Sequence, residues 1–129
     1  MASRKRRSRS SRRSSRRSSR RAGNVRARPR VEARSWLSGK VEDFATNHFG
    51  GNIDAVRKFV DCLYNAGAKT VYVEDPYNEE WRQGSYADTL RVVLPKDRTK
   101  SVKVMATIGR QKPDELDVAR DGTVRVWWD

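Results

Sequence analysis

The chain has 129 residues, of which 29 are Lys or Arg and 16 are Asp or Glu, for a formal net charge of +13. Residues 1–34 hold 15 basic side chains and the single Glu32, whereas residues 35–129 hold 14 basic and 15 acidic ones, so the charge belongs to one end. The composition excludes a membrane span, which needs roughly 20 consecutive apolar residues, and the lone Cys62 excludes an intramolecular disulfide.

Residues 1–34 read as a tail. Residues 10–21 are three uninterrupted copies of Ser-Ser-Arg-Arg, with no apolar side chain to offset the roughly 1–2 kcal/mol per residue that ordering a backbone costs. Disorder is expected there until a polyanion is met. Arg12, Arg13, Arg16, Arg17, Arg20 and Arg21 are planar, permanently charged forks suited to phosphate, which makes them candidate nucleic-acid contacts. The eight tail serines are candidate phosphorylation sites, each able to reverse the charge around it. In composition and dipeptide pattern, residues 3–21 resemble the arginine/serine-repeat tails of splicing-type proteins and, more loosely, protamines. That resemblance implies contact with RNA or RNA–protein particles, nuclear import and control by kinases. Two other readings stay open, an organelle presequence without the usual apolar stripe and a tolerated low-complexity repeat.

The remaining 95 residues suit one domain with one core. Val25 to Arg34 is a transition with Pro29 in it, and the first strand is expected near Trp36 or in the alternation Phe44, Thr46, His48. Ile53, Val56, Phe59, Val60 and Leu63 recur at three- and four-residue steps, which predicts a helix over residues 53–66, with Asn52 as its N-cap and Gly67 as its stop. Residues 70–74 are β-branched and aromatic and end before Pro76, as a strand would. Residues 76–87 show no sustained period and read as a long surface loop. Residues 89–94 alternate as a half-buried strand, with Leu90, Val92 and Leu94 inward, and residues 123–128 form a last strand after the Asp121-Gly122 turn.

The stretch 97–110 fits a strand through Val102, Val104, Ala106 and Ile108. It also fits a helix capped by Asp97 with Val102, Met105, Ala106 and Gly109 on its face. The helix closes two split βαβ halves, so an α+β, ferredoxin-like sandwich is expected; the strand would give an antiparallel sheet covered by one helix. Arginine/serine-tail proteins usually join such a tail to an RNA-recognition module whose central strands carry aromatics. The candidate central strand at 89–94 has none, so protein contact or self-contact suits this domain better.

Tyr77, Trp81 and Tyr86, with Arg82, form either a partner loop or rings that pin the loop to its own domain. Trp127 and Trp128 alternate faces, so one belongs to the core. Glu74, Asp75, Glu79, Glu80 and Asp88 gather around Arg82, a net −4 segment able to attract the basic tail. For catalysis the inventory is thin: His48 is the only histidine, Cys62 reads as a small buried thiol, and no metal or cofactor is expected. The expectation is a small non-enzymatic adaptor, soluble and intracellular, nuclear in a eukaryote and otherwise cytoplasmic. Its tail would bind nucleic acid, its domain a protein, and it would not associate with membranes. The alternative is a protein-interaction or regulatory domain with an incidental or import-signal tail.

Overall fold

The computed structural model describes residues 29–78 and 84–129. The chain runs through β1 (Arg30–Glu32), α1 (Ala33–Leu37), β2 (Val41–Phe44), a 3-10 turn (Thr46–Phe49), α2 (Ile53–Ala66), β3 (Thr70–Glu74), β4 (Tyr77–Asn78) and β5 (Ser85–Ala87). It continues through β6 (Thr89–Val93), α3 (Arg98–Arg110), β7 (Glu115–Val118) and β8 (Thr123–Trp127). An α+β architecture results. Asn52 caps α2 by accepting from the Asp54 amide, Asp97 caps α3 by accepting from the Lys100 amide, and Gly67 ends α2 at a φ of 121°. Glu32 caps the short α1, its carboxylate accepting from the Arg34 and Ser35 amides.

Five strands form the main sheet in the order β1-β3-β6-β8-β7, every neighbouring pair antiparallel. Alternation places Val71, Val73, Leu90, Val92, Val124 and Val126 on one face, all fully buried with Val56, Val60 and Leu63 of α2 and Val104 and Ile108 of α3. Burying a side chain of this size is worth about 1.5–3 kcal/mol. At one end of the core Trp128, also fully buried, meets Phe44, Phe49 and Phe59 edge-on at 5.4–5.9 Å and donates from its indole N–H to the Gln111 carbonyl. A second, three-stranded sheet, β2-β5-β4, sits beside it with β2 and β5 parallel.

The ferredoxin-like arrangement is not confirmed. It would set the strand before α2 parallel to the strand after it, with another strand inserted between the two; here β1 lies at the sheet edge and pairs directly, antiparallel, with β3. The cause is the segment between β1 and α2, which turns into α1 and then sends β2 into the second sheet instead of crossing back as one helix. The second half keeps a split βαβ form, with β8 inserted between the parallel β6 and β7.

Several local expectations also change. The first strand is neither near Trp36, which lies in α1, nor at residues 44–48, which end β2 and enter the 3-10 turn; it is β1. Residues 30–34 therefore belong to the fold, five residues earlier than the boundary expected at residue 35, and Ala33 is fully buried. Residues 77–78 and 85–87 pair as strands, not as a loop. Residues 97–110 hold a helix, but its buried face is Val104, Thr107 and Ile108, while Val102, Ala106 and Gly109 are exposed. Cys62 is exposed because it stands on the flank of α2, well off the line of Phe59, Val60 and Leu63.

Candidate nucleic-acid interface

Arg12, Arg13, Arg16, Arg17, Arg20 and Arg21 lie outside the described residues, as do Trp81, Arg82, Glu79 and Glu80. Of the aromatic partner loop, Tyr77 and Tyr86 are brought together as a cross-strand pair, their rings stacked at 5.5 Å with an interplanar angle of 16°. Their platform is tied down through β5: Ser85 Oγ accepts from the Trp36 indole at 3.1 Å, and the Ser85 amide donates to the Lys40 carbonyl. Tyr77 nevertheless keeps an exposed ring.

A constellation that sequence reasoning missed lies on the face of the main sheet opposite the helices. Register aligns Tyr72, Arg91, Arg125 and Asp117 in one row across β3, β6, β8 and β7, and sets Arg30 opposite Glu74 and Trp127 opposite Glu115. The alternation was legible within each strand. The order of the strands, which makes the row, was not.

Glu74 governs the electrostatics of that face. Its carboxylate, 1 % exposed, accepts from Arg91 through Nε at 2.9 Å and Nη2 at 3.1 Å, a bidentate fork, with Arg30 Nε at 3.4 Å and Arg125 Nε at 3.7 Å. Three guanidinium groups thus compensate one buried carboxylate, and Arg125 also reaches Glu115 at 3.5 Å. Glu74 is therefore a buried ion-pair centre and not part of an exposed acidic patch for the tail. With Glu115 and Asp117 at the edge, the face carries no excess of positive charge. Elsewhere Arg34 pairs with Asp61 at 2.9 Å while lying over the Tyr64 ring, and Arg57 pairs with Asp54 at 2.6 Å and donates to the Leu37 carbonyl.

Other titratable groups are tuned by the same local bonding. Burial alone would raise the Glu32 carboxyl, but hydrogen bonds from the Tyr64 hydroxyl and the Ser35 and Arg34 amides hold it below its ordinary value. Burial and the bond to Glu32 push Tyr64 upward. Thr123, donating from hydroxyl and amide, lowers Asp121. Among the described residues no group of three or more His, Cys, Asp or Glu side chains could hold a metal ion, and no helix is long and apolar enough to cross a membrane. No family model, curated protein or solved structure matches the chain.

Proposed function

We propose that the protein is a small non-enzymatic adaptor whose Arg/Ser tail holds nucleic-acid phosphates without reading sequence, displayed from a domain that makes protein contacts. The observation that carries this reading is the division of charge. Residues 1–28 contain 13 basic and no acidic side chains, and residues 29–129, which include the described fold, contain 16 of each. Arg30, Arg34, Arg57, Arg91 and Arg125 of the domain each pair with a carboxylate. A phosphate reaching them would have to displace an acid already in place. Residues 1–28 offer 13 basic groups with no acid among them, and phosphate contacts of this kind supply affinity and position but not sequence choice.

The test compares the full chain with one starting at residue 29 in fluorescence anisotropy against single- and double-stranded RNA and DNA of unrelated sequences. If six to ten arginines engage phosphates, raising salt from about 50 to 200 mM weakens binding by roughly 10³ to 10⁵, and the shortened chain does not bind. Comparable affinity of the shortened chain, or a strong preference for one sequence, would overturn the proposal. The rival reading, an interaction domain with an incidental tail, predicts that neither chain binds nucleic acid.

A further inference from the structure

The strand β7 is an edge of the main sheet, and all four of its residues are exposed. Its two sides differ in chemistry. Leu116 and Val118 share a face with Val126 and Val124, yet are 37 % and 62 % exposed where those neighbours are fully buried. Glu115 and Asp117 point to the opposite face, beside Trp127 and Arg125. The Ala119 amide donates to the Thr123 carbonyl at 2.8 Å. By antiparallel alternation residues 115 and 117 also turn their backbone groups toward β8, and Leu116 and Val118 turn theirs outward.

The helix α3 also leaves apolar side chains exposed. Lys100 faces the C-terminal end of α2, where a Cβ on Gly67 would lie 2.8 Å from Lys100 Cβ. At about 100° per residue, Val102 and Gly109 look in nearly the opposite direction, with Ala106 roughly 60° from it. That is the side of α3 turned away from the C-terminal end of α2. Val102 is 61 % exposed, and a Cβ built on Gly109 meets nothing within 4 Å. The edge β7 is thus a strand with outward backbone groups, apolar on one face and acidic on the other.

We propose that this edge is completed by residues 25–28 of a second copy of the chain. Val25, Arg26, Ala27 and Arg28 alternate apolar and basic with the period of a strand, the complement of Glu115, Leu116, Asp117 and Val118. Val25 and Ala27 would lie beside Leu116 and Val118, and Arg26 and Arg28 beside Glu115 and Asp117, opposite charges across a strand pair. The same chain cannot supply the strand. Residue 28 is two residues from Arg30 in β1, a reach of about 7 Å, whereas β7 lies four strand spacings away, about 19 Å. Pairing of β7 with its own copy would bring Glu115 and Asp117 against like charges. Donor and acceptor sit at opposite edges of one sheet, so each copy can serve as both, and association would gather several Arg/Ser tails on one nucleic acid.

The experiment is sedimentation velocity on the nuclease-treated full chain over a concentration series. The expected result is a mass above the monomer that grows with concentration. Val25→Asp with Ala27→Asp, outside the described fold, and Arg26→Glu with Arg28→Glu should each hold the chain as a monomer, as should Glu115→Arg with Asp117→Arg at the acceptor. An equimolar mixture of the Arg26→Glu/Arg28→Glu chain and the Glu115→Arg/Asp117→Arg chain should associate again. A full chain that stays monomeric at every concentration, association that survives the donor substitutions, or a mixture that remains monomeric would overturn the proposal.

Discussion

Residues 1–28 hold 13 basic side chains and no acidic one, while residues 29–129 hold 16 basic and 16 acidic. The same residue type serves different ends in the two regions. In the domain, five arginines are structural: Arg91 forks onto the buried Glu74, Arg30 and Arg125 close around it, and Arg34 and Arg57 join helices to their surroundings. In the tail nothing nearby in the sequence neutralises it. The net charge of +13 is therefore that of residues 1–28 alone, and the domain's own charges sum to zero. The comparison also locates the boundary, because Arg30 and Arg34 belong by composition to the tail and by their ion pairs to the fold.

The sharpest way to break the comparison is through Glu74. Glu74→Ala leaves three guanidinium groups around an empty, buried position and should cost about 3–5 kcal/mol in urea unfolding. A cost near zero would show that the domain's arginines are as free as the tail's. Next come the core positions: Leu63→Ala and Ile108→Ala should each cost about 2–5 kcal/mol. Lys58→Ala and Val102→Ala, both exposed, should change stability by less than about 0.5 kcal/mol. A larger loss for Val102 than for Ile108 would mean that α3 buries its other face.

The smallest expected effect depends on pH. The Glu32 carboxyl is lowered in the fold, so its contribution is complete above the ordinary value of 4.5 and is lost as pH falls through the folded value. Tyr64 is raised, so its contribution is complete below its ordinary value of 10.0 and is lost as pH rises through the folded one. Unfolding curves of Glu32→Gln should thus converge with those of the native chain in acid, and those of Tyr64→Phe in alkali. Parallel curves at all pH values would contradict the hydrogen bond between them.

Much of the fold was legible where one element answers to one local rule. The period of α2, the caps Asn52 and Asp97, and the alternation of β3, β6 and β8 each rest on neighbours within a few residues. What failed depends on partners far along the chain. The choice between two apolar faces of α3 was decided by where α2 lies, and β7, with its alternating Glu115, Leu116, Asp117 and Val118, is a strand because β8 pairs with it. The candidate site divides likewise. Tyr77 and Tyr86 were legible as residues but not as a stacked pair, and Glu74 read as surface acid because nothing local shows Arg30, Arg91 and Arg125 converging on it.

The central claim, that the charge available to a polyanion is confined to the tail, is tested most directly by the salt dependence of nucleic-acid binding. Arg12, Arg13, Arg16, Arg17, Arg20 and Arg21 are replaced by Gln in an otherwise intact chain, leaving the domain as it is. The account predicts that the slope of log affinity against log salt becomes shallower by about 0.9 for each duplex phosphate that is no longer neutralised, roughly 5 in all if every one of the six arginines is engaged. An unchanged slope would show that these six arginines neutralise no phosphate and would contradict it.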